Sequence, residues 1–212
     1  MTDWPTWRLK HLVTLNASSL PESTPPDYEF RYLEISSVGR GRLVGEPEPI
    51  RFGDAPSRAR RLVRPGDTIV STVRTYLRAV WPVSGATEEV VVSTGFAVLS
   101  PGPRLDPEFF GWWAQSDTFI DEVVARSVGV AYPAINAPDI GDIAIDLPPL
   151  SDQRHIASYL HGETRNIDEL MADLGGSLIS DASSLAGLLI ERRETLVARA
   201  VTGAFEIPGV TA

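Results

Sequence analysis

The 212-residue chain contains no cysteine, which excludes disulfides and thiolate metal sites and makes a cytoplasmic setting the expected one. No apolar run approaches the roughly 20 residues that a membrane-spanning helix needs, and the polar N-terminus does not resemble a signal peptide. Three chemical signatures are also missing: a glycine-rich phosphate loop of the Walker type, a Gly-x-Ser-x-Gly elbow and a His-Glu-x-x-His pair. Histidine is scarce. His155 and His161 stand six apart, so they do not share a helix face, and both read, like His11, as ordinary residues. No catalytic residue, metal ligand or cofactor is therefore expected.

What is present is ordinary for a globular protein: 43% hydrophobic and 22% charged residues, enough for one moderate domain with an appendage. The net charge of −9 argues against indiscriminate binding of polyanions, but the charge is unevenly spread. Between Arg31 and Arg78 stand 10 arginines against 5 acidic residues, a net of +5. From Glu88 to Asp146 there are 2 arginines against 10 acids, and from Ser151 onward 5 against 9. Only one section favours a phosphate backbone. Within it, Arg58, Arg60, Arg61 and Arg64, then Arg74 and Arg78 flanking Tyr76, combine donors for phosphate with side chains able to reach guanine edges. The alternative is a solvated surface paired locally with Glu and Asp.

Short elements fill the first 150 residues. Trp4–Leu15 reads as an opening element and 16–27 as a proline-rich loop. Tyr28–Val38 has the alternation of a strand, and 45–56 reads as a surface loop. Strands are expected over Thr68–Val73, Leu77–Val83, Glu89–Val92 and Phe96–Leu99, after the Pro65-Gly66-Asp67 turn. Asp106-Pro107-Glu108 starts a helical region reaching about Arg126, with a break near Ser116 and with Trp112 and Trp113 as core. Ser127–Asn136 is either a ligand-facing loop or a packed turn plugged by Tyr132 and Ile135, and packing is the preferred reading. Ala137–Gly141 reads as a helical turn and Ile143–Leu147 as a last strand.

Leu147-Pro148-Pro149-Leu150-Ser151-Asp152-Gln153-Arg154 is a hinge, because proline pushes the residue before it out of the helical region. Ser151 is the expected helix cap, with Asp152 at the positive end of the dipole. The tail that follows has no proline up to Thr202 and carries Leu160, Ile167, Met171, Leu174, Leu178, Leu185, Leu189 and Leu196 at spacings of a heptad seam. As one helix, its 51 residues from Asp152 to Thr202 would span roughly 77 Å and need a partner helix. Gly175-Gly176 either weakens that helix or lets it fold back as a hairpin.

Gly66-Asp67-Thr68-Ile69, Arg74-Thr75-Tyr76-Leu77, Ser93-Thr94-Gly95-Phe96, the 127–136 loop and the hinge together resemble the specificity subunit of type I restriction–modification systems. So do Glu191-Arg192-Arg193-Glu194-Thr195-Leu196 and Ala200-Val201-Thr202-Gly203 near the end of the chain. The resemblance implies an α+β target-recognition domain over residues 1–150, a long coiled-coil-like spacer over 151–203 and a tail over 204–212. It implies a subunit of half the usual size, with one recognition domain, that pairs with itself or with another half. It also implies double-stranded DNA, a methyltransferase subunit and a restriction subunit as partners, the partner subunits supplying all chemistry. A helical adaptor that binds protein and no DNA is the alternative. The two differ in whether Arg58 to Arg78 forms a single exposed positive face.

Overall fold

The computed structural model describes residues 4–85, 89–175, 182–205, 207–208 and 210. Two four-stranded sheets form its centre. The first has the order β2 (Val13–Leu15), β9 (Phe96–Pro101), β6 (Thr68–Ser71), β7 (Val80–Pro82). The second has the order β4 (Glu48–Arg51), β3 (Glu29–Leu33), β8 (Val90–Ser93), β5 (Ala59–Val63). All pairings are antiparallel except β3 with β8. A two-stranded ribbon joins β1 (Thr6–Arg8) to β10 (Ala144–Asp146).

Side chains alternate between the faces of a strand, and here both faces are covered. Ile69, Phe96, Val98, Val90 and Val92 point between the two sheets. Their neighbours Val70, Ala97 and Leu99 point the other way, into the core beneath the helices. Val91 faces outward with Phe30 and Leu20, under a cover of Tyr28, Ile50 and Phe52. The uninterrupted apolar runs in β6, β8 and β9 follow from this double coverage.

The helical layer begins with α1 (Pro107–Ala114) and α2 (Asp117–Ala125), separated at Ser116 as the sequence indicates. Asp106 caps α1 by accepting from the backbone N–H of Glu108 and Phe109, both at 3.1 Å. Trp113 is buried and stacks with Phe110, while Trp112 is only partly buried. A single turn, α3 (Ala137–Gly141), precedes β10.

Three sequence expectations change. The 45–56 stretch is not all loop: β4 lies within it, at a sheet edge where Pro49 takes no donor from the ladder. Ser151 is not the cap. The next helix, α4 (Leu150–Gly175), starts one residue earlier, with the Pro149 carbonyl accepting from Asp152 and Gln153, and Ser151 Oγ turns instead to Asp152 Oδ1. The single long spacer helix is replaced by two. The second, α5 (Ala182–Val201), runs back along α4, as the Asp168–Arg193 ion pair at 3.3 Å and the Tyr159–Phe205 ring contact require. Folding back lets the two halves of the seam cover each other, and Gly175 marks where helix propensity is weakest.

Leu160 and Ile167 are buried and Met171, Leu189 and Leu196 partly so, whereas Leu185 stays exposed. Leu178, Gly176 and the side chain of Leu174 lie outside the described residues. The last turn of α5 (Val197, Ala200 and Val201) enters the core beneath the first sheet, and Ile207 joins it there. Among the described residues no helix is long and apolar enough to cross a membrane.

Candidate nucleic-acid interface

Strand directions bring several loops to one end of the sheets. β5 begins where β8 ends, Ala59 facing Ser93, and β6 ends where β9 begins, Ser71 facing Phe96. The backbone then ties these loops together in sequence. Thr94 N–H donates to the Arg58 carbonyl at 2.8 Å, and Thr72 N–H donates to the Gly95 carbonyl at 2.8 Å. Arg74 N–H donates to Pro133 at 2.8 Å, and Ile135 N–H donates to Thr72 at 2.9 Å. Arg58, the Ser93-Thr94-Gly95 turn, the β6–β7 loop and the 127–136 loop are thus one continuous surface.

The six predicted contact residues do not share one environment. Arg58 and Arg74 are exposed and form no ion pair among the described residues. The Arg74 guanidinium lies 5.4 Å from the centre of the Tyr132 ring, and its backbone is left-handed, with φ of 51°. Tyr76 is 54% exposed beside it. Arg60 and Arg61 belong to edge strand β5 and are partly buried: Arg60 lies over the Phe52 ring at 4.5 Å, and burial lowers the pKa of Arg61. Arg61 Nε is buried without a hydrogen-bond partner among the described residues.

Arg78 is held by acids. It contacts Asp117 at 2.6 Å and Asp121 at 3.1 Å, both on α2. Arg40 is bound in the same way, to Glu194 at 2.5 Å, while its Nε donates to the Gln115 carbonyl at 2.7 Å. Its Nη2 sits 3.1 Å from Asp117 Oδ1, a contact of charge without hydrogen-bond geometry. Gly41 next to it has φ of 73°, and any β-carbon there would stand 1.8 Å from the Gln115 side-chain oxygen. Beside Arg58, burial raises the pKa of Tyr32, against the opposing effects of a hydrogen bond with Ser93 and of the Arg58 charge.

Tyr132 does not plug the domain. It is 69% exposed, and of the expected pair only Ile135 is buried. The loop is closed by reciprocal bonds between Val128 and Ala134, so its middle is pushed out of the fold.

One residue that sequence reasoning passed over is Gln153 of the hinge. Its side chain is wholly buried; Oε1 accepts from Asp106 N–H at 2.7 Å, and Nε2 donates to the carbonyls of Arg104 and Pro148 at 3.0 and 2.8 Å. A buried amide must satisfy its donors and acceptor, and here it does so by clamping the α4 start to the α1 cap. Gly66, at the start of β6, lies beside Pro107, so this clamp sits at the far end of the sheets from Arg58. Among the described residues no group of three or more His, Asp or Glu is placed to hold a metal ion.

Two sheets under a helical layer, with one end clamped to a helix pair and the other bearing loops, cations and exposed aromatics, define a mixed α/β domain built to present a loop surface. A family model for the type I restriction modification DNA specificity domain matches residues 1–174, and the chain belongs to that family. Two solved structures cover 99% of the chain. One comes from work on complex assembly and conformational transition of the type I R-M system (28% identity, TM-score 0.72). The other is the HsdS subunit from Thermoanaerobacter tengcongensis (27% identity, TM-score 0.70). The chain spans about half the length of these proteins, 51% in each case. The S subunit of M. genitalium, at 16% identity and a TM-score of 0.51 over 82% of this chain and 41% of its own, shares the fold. A search of curated proteins gave no match.

Proposed function

We propose that this chain is a sequence-specific DNA-binding unit that directs methyltransferase and restriction subunits to a split DNA target, without catalytic activity of its own, in the cytoplasm. The observation that carries this reading is the loop end itself, where Arg58 and Arg74 stand exposed without carboxylate partners beside exposed Tyr76. Arg60 and Arg61 on the adjoining strand belong to the same reading, and Arg78 would join it only by exchanging Asp117 and Asp121 for phosphate. Family membership supports DNA as the ligand. The test is selection from a randomised duplex pool by the full chain with its cognate methyltransferase subunit. Enrichment of a defined sequence is expected, and a pool that emerges unselected would refute the reading.

Pairing belongs to the same proposal. The helix pair covers Leu160 and Ile167 within the chain but leaves Leu170, Leu185, Leu188 and Ile190 between 44% and 62% exposed. Leu170 and Leu188 of this set line a groove of about 580 Å³ together with Ile167, Leu189, Leu196 and Phe205. A second copy, or another unit of the same kind, would cover it and set two recognition domains on one split target. Light scattering at micromolar concentration checks this. A dimer that dissociates in Leu185→Glu with Leu188→Glu is expected; a wild-type monomer, with no partner subunit present, would end the self-paired form.

A further inference from the structure

The 128–134 loop is an exposed apolar projection on a rigid base. Val128 N–H donates to the Ala134 carbonyl at 2.8 Å, and Ala134 N–H returns a bond to Val128 at 3.0 Å, which makes a miniature hairpin. Gly129 turns it with φ of 115°, where a β-carbon would press within 3.1 Å of the Tyr132 carbonyl oxygen. The base is fastened on both sides. Val73 bridges Ala134, Ser127 Oγ lies 2.8 Å from Thr75 Oγ1, and Ile135 is buried.

What this base holds up is apolar. Val128 is 80% exposed, Val130 is fully exposed and Tyr132 is 69% exposed, with Leu77 of the neighbouring loop at 48%. Large apolar side chains exposed together on one short loop mark a candidate interaction site. Water gains nothing from it, and the closure bonds show that it is not a frayed strand.

We infer that this hairpin is the specificity-determining element, entering the major groove of duplex DNA with Val130 and Tyr132 against base edges, while Arg74 and Arg58 meet flanking phosphates. The inference rests on the DNA-binding reading above. Duplex DNA is the occupant that the surroundings favour: the two cations nearest the hairpin through the backbone ties have no carboxylate partner among the described residues, which suits a polyanion and not an acid-poor apolar groove. A narrow projecting loop closed at its base by a single Val128–Ala134 bridge can reach into the major groove, where apolar side chains meet the thymine methyl group and distinguish base pairs. Phosphate contacts from arginine set position but carry no sequence information. On this division of labour, apolar side chains read and cations hold.

The experiment compares Val130→Ser and Tyr132→Ser with wild type, in the full chain with its methyltransferase subunit, on a randomised duplex pool and then on the wild-type consensus at several salt concentrations. Both positions are exposed, so an unchanged unfolding midpoint is expected. Discrimination between the consensus and single mismatches should fall by roughly ten- to hundredfold at one or two positions, with the salt slope unchanged. Variants that select the same consensus with undiminished discrimination overturn the inference and leave the DNA-binding reading standing. A wild type that selects nothing overturns both.

Discussion

The two ends of the domain treat their polar and apolar groups in opposite ways. At the hinge end, Gln153 is wholly buried with each side-chain bond answered, Asp106 caps a helix, and Arg104 lies over the Trp7 ring at 5.0 Å. At the loop end, Val130 is fully in solvent and two arginines have no acid beside them among the described residues. The first arrangement fixes where the helices leave the domain and tolerates little substitution. The second contributes little to the fold, so its side chains are free to suit a ligand. Between the ends, Arg40 and Arg78 show that an arginine in the basic section can also be structural, drawn to the acids of α2 and α5.

The sharpest way to break this contrast is Gln153→Ala. The buried Pro148 carbonyl and two part-buried backbone groups would lose their partner, the buried one worth about 1–3 kcal/mol when left unsatisfied, and a total loss of about 2–4 kcal/mol in urea unfolding is expected. A loss below about 1 kcal/mol would mean the clamp is dispensable. Next comes Arg58→Ala with Arg74→Ala. Affinity for a selected duplex should fall by roughly ten- to hundredfold, the log–log salt slope should drop by about two, and stability should stay within about 0.5 kcal/mol.

Arg40→Ala should behave in the reverse sense. It leaves Asp117 and Glu194 facing each other, both partly screened by water, so a loss of about 1–2 kcal/mol is expected with little change in salt slope. Arg78→Ala, at a more exposed pair, should cost under about 1 kcal/mol. A fall in its salt slope matching that of Arg74→Ala would assign it to DNA despite its acids.

The smallest effect concerns pH. The Lys10 ammonium, hydrogen-bonded to Asp142, lowers the pKa of that carboxyl group. A folded pKa below the unfolded one contributes stability that is present above the unfolded value, about 3.9, and is lost as pH falls through the folded value. Because Asp142 is exposed, the contribution is slight. Lys10→Ala should flatten the acid limb of the stability curve by slightly lowering stability above about pH 4 and leaving the acid end unchanged, read by urea midpoints.

Much of the fold was legible in the sequence where both faces of a strand are buried or where a cap is chemically explicit. β6, β8, β9, the Asp106 cap, the break at Ser116 and α3 were all anticipated. β4 and β5 were hidden because they are edge strands. Pro49 is tolerated at such an edge, and in β5 Arg60 lays its stem and guanidinium on Phe52, so an arginine run can be a strand. The return of α5 could not be decided from spacing, since a heptad seam is satisfied equally by another chain or by its own second half. The division among the arginines was invisible for a similar reason: Asp117 and Asp121 lie 39 and 43 residues beyond Arg78. The protruding hairpin was misread because Tyr132 and Ile135 look alike in composition, while only the Val128–Ala134 closure decides which of them faces inward.

The β1–β10 ribbon also bears on how the chain folds during synthesis. It pairs Thr6 with Asp146 and adds a hydrogen bond between their side chains, 140 positions apart. Closing a flexible loop of that length costs about 4 kcal/mol in chain entropy before the pairing gives anything back. On a ribosome the opening strand must wait, unpaired, until nearly the whole recognition domain has emerged, so this ribbon is a late step of folding. Trp7, paired with Ile145 within it, is placed to report that step by fluorescence, and the same delay leaves the β1 edge open to a wrong partner until β10 arrives.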